Sequence, residues 1–113
     1  MFLKKVKLYK EISVLISISI YSYFVNWQSG NIGIMPIDSF GFLDTGYSIT
    51  KGHLPIRDFW IFTGLLVDYM EALFLFLFGN NWNSHLAHSS FINILGTIGL
   101  YFFLKEYELK LFH

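Results

Sequence analysis

Several side chains of this sequence that can take part in chemistry lie between residues 38 and 88. They include the single carboxylates Asp38 and Asp44, the adjacent pair Arg57 and Asp58, the carboxylates Asp68 and Glu71, and the imidazoles His85 and His88. An ionised carboxylate can remove a proton from a hydroxyl that lies within ~2.6 to 3.2 Å of it. Arg57, the only arginine, is permanently protonated and offers planar, bidentate donors that suit a phosphate. General base catalysis and phosphate binding are therefore the two kinds of chemistry to consider first.

The segments around these residues are apolar enough to be membrane helices. Of the 113 residues, 20% are aromatic and only 14% are charged, against ~25% charged residues in a soluble domain. Three apolar stretches, residues 12–27, 60–78 and 86–104, approach the ~20 residues that a helix needs to cross ~30 Å of hydrocarbon. Runs such as "LFLFLFG" are apolar on all sides, and so short a chain cannot bury three such helices in protein. We predict an all-α membrane protein with three transmembrane helices.

The distribution of charge predicts the orientation of the chain. The formal net charge is zero, so electrostatics gives no reason to expect nucleic acid as a partner. Four lysines lie within the first ten residues, which favours a cytoplasmic tail over residues 1–11 and insertion into the inner or plasma membrane. Three spans then leave Lys105 and Lys110, in the tail 105–113, on the outer side, against the same rule.

Because no small-x-small cleavage site follows the first span, we interpret it as an uncleaved anchor.

The segment that joins the first two spans, residues 28–59, is the only sizeable stretch predicted to face water. After Asp38, aromatic and aliphatic side chains recur at helical spacing, and Gly52 stands where a left-handed C-terminal cap belongs. We predict a short amphipathic juxtamembrane helix over residues 39–51 that lies on the membrane surface.

The charged residues of this outward loop each have two interpretations. Asp38 is either an N-cap, a role worth ~1 kcal/mol, or a carboxylate available for catalysis. Asp44 falls within the predicted helix and is the less favoured acidic candidate. Arg57 and Asp58 form either a local ion pair and lipid-headgroup anchor or a substrate-binding pair.

Two pairs of polar residues are spaced three apart. Asp68 and Glu71 therefore share one helix face. A carboxylate near the bilayer centre costs about 2.5 to 3.5 kcal/mol, so we expect this face to turn toward protein and to form interhelical hydrogen bonds rather than to catalyse. His85 and His88 have a spacing that can place two imidazoles on one metal. They fall in "GNNWNSHLAHSS", interpreted as a short loop with no third ligand nearby, so we predict no metal site.

The order of these elements resembles the amino-terminal part of polytopic membrane glycosyltransferases of the GT-C type, which include protein mannosyltransferase-like and aminoarabinose-transferase-like enzymes. In that family an outward loop opens with an acidic residue, often Asp-Glu. A juxtamembrane helix, a Gly-x-x-Pro-Tyr-Arg-Asp-like turn and a span ending in Phe-Gly follow. The counterparts here are Asp38, Gly52, Pro55, Arg57, Asp58 and the pair Phe78-Gly79. Ser39 and Ile56 replace the usual Glu and Tyr, and members of the family are much longer chains with many spans.

The resemblance implies sugar transfer, with inversion, from a polyprenyl-phosphate donor to an acceptor hydroxyl on the outer face. It implies Asp38 as the catalytic base and Arg57 with Asp58 as binders of the donor's phosphate, while Asp44, Asp68 and Glu71 are less favoured. It implies no cofactor beyond the lipid-linked sugar itself.

Two hypotheses about function follow from the sequence. In the first, the chain is the amino-terminal segment of such an enzyme and is inactive without the remaining spans. In the second, it is a small noncatalytic membrane protein whose spans bind a larger membrane partner.

Overall fold

The computed structural model describes residues 2–33, 36–61 and 64–111 and is almost entirely helical over those ranges. Four helices follow one another: α1 (Phe2–Ile32), α2 (Pro36–Thr50), α3 (Leu65–Phe78) and α4 (Trp82–Leu111). Within the described ranges no residue belongs to a named strand, and an isolated bridge joins Pro55 to Phe59. The prediction of an all-α fold is confirmed.

Two of the described helices are long and apolar enough to cross a membrane. They are Leu8–Ile32 in α1 and Trp82–Tyr107 in α4, of 25 and 26 residues, and they include the first and third predicted spans. α3 has 14 residues, or ~21 Å at 1.5 Å per residue, which is less than the ~30 Å of hydrocarbon. It begins at Leu65 rather than at Trp60. The structure does not confirm a third transmembrane helix.

Helix extends into both terminal segments. α1 is continuous from Phe2, and α4 continues to Leu111. The contacts divide the chain into two compact units. The first consists of Met1–Asn26 and Ser90–His113, and the second is Trp27–Ser89.

In the first unit, polar side chains join α1 to α4. Ser22 is hydrogen-bonded to Thr97 at 3.0 Å. Asn26 is hydrogen-bonded to Ser90 at 3.0 Å and to Asn93 at 2.5 Å. Glu11 forms an ion pair with Lys105. The partners' numbers fall along α1 as they rise along α4, so the two helices run antiparallel. Hydrogen bonds of this kind are worth about 0.6 kcal/mol each within a membrane, and they fix the register of the helix pair.

In the second unit, α2 packs against α3. The hydroxyl of Thr45 donates to Asp68 Oδ1 at 2.9 Å, and Gly46 lies against Glu71 and Ala72 of α3. Near the end of α1, the indole N–H of Trp82 donates to the carbonyl of Gly30 at 3.1 Å. The second unit therefore holds the end of α1 and the start of α4 close together.

The ends of α2 follow from its sequence. The helix begins at Pro36, a residue suited to the first turn because its missing N–H would find no partner there. Asp38 therefore lies inside the first turn and is not the N-cap. Gly52 has a φ of 87°, and the N–H groups of Gly52 and His53 donate to Ile49 and Ser48 at 2.9 and 3.1 Å. This is a Schellman cap, so the predicted role of Gly52 is confirmed.

The start of α4 corrects the prediction of a loop in "GNNWNSHLAHSS". α3 ends at Phe78 with Gly79 as its C-cap, as the sequence indicated. Asn81 Oδ1 then accepts the N–H of Ser84 at 3.1 Å, which is an N-cap hydrogen bond. The helix therefore starts at Trp82, and both histidines of this segment lie on it.

We predict that Gly46→Ala weakens the second unit. A Cβ at this position would lie 2.6 Å from Glu71 Cγ and 3.2 Å from the backbone nitrogen of Ala72, and overpacking of this kind costs about 1 to 3 kcal/mol. Thermal unfolding in detergent, followed by circular dichroism, measures the loss. The control is Gly96→Ala, at a helical glycine whose added Cβ meets nothing within 4 Å. Equal stability of the two variants would contradict the close packing of α2 on α3.

Candidate functional site

The turn between α2 and α3 carries a bidentate ion pair. Arg57 Nε and Nη2 donate to the two carboxylate oxygens of Asp58, each at 2.7 Å. Asp58 Oδ2 also accepts the N–H of Leu54 at 2.8 Å. The hydrogen bonds from Arg57, helped by that from Leu54, lower the pKa of Asp58 to about 2. The carboxylate therefore stays ionised over the physiological pH range, and the pair is the local ion pair that the sequence analysis allowed.

The backbone of this turn is strained next to the ion pair. Ile56 has a φ of 71°, a left-handed conformation that costs a β-branched residue about 1 to 3 kcal/mol. Two backbone hydrogen bonds hold it, from Ile56 to Phe59 and from Asp58 to Leu54, each 2.9 Å long. The Arg57 side chain remains 67% exposed. The turn therefore holds the Arg57 guanidinium in a solvent-exposed position.

Asp38 lies at the opposite end of α2 from this turn. Its side chain is exposed in the first turn of the helix and makes no hydrogen bond or ion pair with the described part of the chain. From Asp38 to Thr50 the helix rises by about 18 Å at 1.5 Å per residue. The structure therefore does not bring Asp38 and Arg57 together by way of α2, and one phosphate does not bridge such a distance.

The most buried polar cluster centres on Glu71, which has no exposed surface. His85 Nδ1 lies 3.1 and 3.2 Å from the two carboxylate oxygens, and His88 Nδ1 contacts Oε2. An ionised carboxylate only accepts hydrogen bonds, so both imidazoles donate through Nδ1. The cluster ties α3 to the first turns of α4.

Aromatic rings enclose the two imidazoles of this cluster. Trp82 packs against His85 with ring centroids 4.9 Å apart, and Phe74 packs against His88 at 5.4 Å. His88 Nε2 is buried and has no hydrogen-bond partner among the described residues. Within those residues no group of three or more His, Cys, Asp or Glu side chains has an arrangement that holds a metal ion. Hydrogen bonding between helices accounts for the cluster.

Asp68 occupies the other part of the same polar face of α3. It is fully buried and accepts the Thr45 hydroxyl of α2. Asp68 and Glu71 therefore turn toward protein and form interhelical hydrogen bonds, as expected from their spacing. Sequence reasoning identified the face but not the partners. Their spacing in the sequence did not indicate that His85 and His88 both contact Glu71, a carboxylate of a different helix.

Asp44 lies in an open groove that the sequence analysis did not anticipate. The groove has a volume of about 620 Å³, and α2 and the α3–α4 turn contribute its walls. Its lining includes Phe40, Asp44 and Tyr47 from α2 and Asn80, Asn81 and Trp82 from the other side. We call this the aromatic groove. The only sequence indication of it was the aromatic spacing along α2, since its second wall comes from residues far along the chain.

Comparison with models of protein families, with characterised proteins and with solved structures finds no match at a significant level. The functional interpretation therefore rests on the side chains described above.

We predict that Glu71→Ala destabilises the second unit by about 3 kcal/mol, because it leaves two buried imidazole donors without their acceptor. Chemical unfolding in detergent micelles measures the change. Glu106→Ala removes an exposed carboxylate of α4 and should stay within ~0.5 kcal/mol of the unmodified chain. A loss no larger for Glu71→Ala than for Glu106→Ala would show that the cluster does not hold α3 to α4.

Proposed function

We propose that this chain is the membrane-anchored amino-terminal segment of a glycosyltransferase. The reaction is transfer of a sugar from a polyprenyl-phosphate donor to an acceptor hydroxyl at the outer face of the membrane. The observation that carries the proposal is Asp38, an exposed carboxylate in the first turn of a helix that is capped at Gly52 and bonded to α3 through buried groups. A rigid helix supports a precise position for a base better than a mobile loop does.

In this proposal Asp38 acts as the general base. Its carboxylate accepts the proton of the acceptor hydroxyl as that oxygen attacks the anomeric carbon. The bond from the anomeric carbon to the donor's phosphate breaks on the opposite face, and the electron pair leaves with the lipid phosphate. Attack opposite the leaving group inverts the configuration at that carbon.

Arg57 and Asp58 receive a separate role in the proposal. Asp58 occupies two of the five guanidinium N–H groups, and the exposed remainder of Arg57 suits a lipid phosphate at headgroup depth. Because α2 separates this turn from Asp38, the phosphate that Arg57 binds is not the one leaving the sugar beside Asp38. In the proposal, the remaining spans of the enzyme stabilise the negative charge on the leaving phosphate.

For the membrane we propose two spans, α1 and α4, with a cytoplasmic N-terminus in the inner or plasma membrane. The antiparallel pairing of Glu11 with Lys105 supports this layout, since it returns Lys105 to the cytoplasmic side that positively charged residues prefer. The segment predicted as a second span, residues 60–78, then belongs to the outer side with α2. This departs from the family, in which the segment after the Arg-Asp turn crosses the membrane.

The alternative function, a noncatalytic protein that binds a larger membrane partner, is favoured by one observation. Asn93 lies within the candidate span of α4 and its side chain is exposed. It donates to Asn26, which leaves the carbonyl oxygen and one N–H of its amide for another helix. Both functions require further membrane helices around α4.

We predict that Asp38→Asn lowers sugar transfer by about 10² to 10⁴-fold. The assay uses native membranes that contain the chain with the rest of its enzyme, and it follows radiolabelled sugar from a polyprenyl-phosphate donor. Insertion and helix content should be unchanged, because the exposed Asp38 contributes at most ~1 kcal/mol through the helix dipole. Glu106→Gln is the matched control. Normal transfer by Asp38→Asn would remove Asp38 as the base, and no transfer by the unmodified membranes would favour the noncatalytic function.

A further inference from the structure

The aromatic groove has a rigid apolar wall. Trp82 is fixed by its hydrogen bond to Gly30 and by its packing against His85. The Phe40 ring lies 6.5 Å from the Trp82 ring and is 54% exposed, and Tyr47 is 39% exposed. Rings held in place before a ligand arrives lose little conformational entropy on binding. Their electron-rich faces suit a ligand that presents polarised C–H groups.

Hydrogen-bonding groups lie beside these rings. The side chains of Asp44 and Asn80 are exposed and make no hydrogen bond with the described part of the chain. Asn81 is held by two hydrogen bonds, to Phe78 and from Ser84, and keeps one N–H and one lone pair for a ligand. A carboxylate and two amides together offer both donors and acceptors, which matches a set of neighbouring hydroxyl groups.

The composition of the groove distinguishes between classes of ligand. Its lining contains one carboxylate and no basic side chain, so it disfavours a phosphate or another anion. Lys51 lies over the Tyr47 ring, 5.1 Å from its centroid, and is not part of the lining. A purely apolar ligand would leave Asp44 and the two amides without partners. A quaternary ammonium group suits the rings and the carboxylate but cannot use the amides.

We propose that the aromatic groove is a saccharide-binding site that stacks a neutral pyranose ring on Trp82 and Phe40 and binds its hydroxyls through Asp44, Asn80 and Asn81. The volume of about 620 Å³ lies within the ~300 to 1,000 Å³ of small-molecule sites. Phe40 and Asp38 lie at the same end of α2. The site deepens the proposed function, on which its biological meaning rests, by binding a sugar on α2, the helix that carries Asp38.

Saturation-transfer NMR tests the site without donor lipid or turnover. The full chain is placed in nanodiscs of phosphatidylethanolamine and cardiolipin, and methyl α-mannopyranoside and methyl β-glucopyranoside are the probes. We expect saturation of the C–H protons on one face of the ring. Asp44→Asn and Asn80→Ala, at exposed positions that do not support the fold, should each weaken binding by about fivefold, the value of one hydrogen bond. Trp82→Ala should abolish it.

Matched variants and ligands make the result specific. Glu106→Gln and Phe76→Ala change an exposed carboxylate and an exposed aromatic ring away from the groove and should leave sugar binding unchanged. Glycerol, which has hydroxyls but no ring, and choline should bind more weakly than either glycoside. Saturation of the glycosides that Asp44→Asn and Asn80→Ala do not reduce, stronger binding of choline, or no saturation at all would overturn the proposal.

The sugar-binding and sugar-transfer measurements test the saccharide site and the role of Asp38 independently. Sugar binding in the groove combined with normal transfer by Asp38→Asn would overturn the base and retain the site. Absence of sugar binding combined with transfer that depends on Asp38 would overturn the site and retain the base.

Discussion

The second unit depends on how the chain buries the carboxylate of Glu71 in apolar surroundings. An isolated carboxylate is costly there, and the cost falls only when the charge receives hydrogen bonds from fixed donors. His85 and His88 supply two such donors from consecutive turns of α4. The requirement for these donors fixes the position and rotation of α3 relative to the start of α4. Three residues earlier, Asp68 binds Thr45 of α2, so one polar face of α3 orients two neighbouring helices.

The candidate functional surfaces follow from that arrangement. With α2 held along α3, Asp38 projects from its first turn, and the other end of the helix passes through the Gly52 cap into the strained turn at Ile56. The packing of Trp82 on His85 extends the buried cluster to the wall of the aromatic groove. Trp82 therefore links the groove to the buried cluster. In the proposed function, the position of Asp38 and the wall of the groove both depend on the same buried hydrogen bonds.

Local features of this fold could be predicted from the sequence, and features that depend on distant partners could not. Gly52 and the pair Phe78-Gly79 predicted the ends of α2 and α3, because glycine adopts a positive φ without strain and both glycines have one. The spacing of Asp68 and Glu71 predicted a shared, protein-facing side. The identity of its partners required knowledge of which helices pack together. The predicted second span, residues 60–78, is longer than α3, which begins at Leu65, because apolar composition alone does not show where a helix begins.

In the proposed topology, on which the proposed function depends, the start of α2 and the α3–α4 turn lie on the same side of the membrane. Spin labels at residues 44 and 83, in the full chain reconstituted into lipid bilayers, test it through the dipolar coupling between them. Strong coupling, at a separation well below the ~30 Å of the hydrocarbon core, is expected. A separation equal to or greater than that thickness would mean that residues 60–78 cross the membrane and would contradict the account.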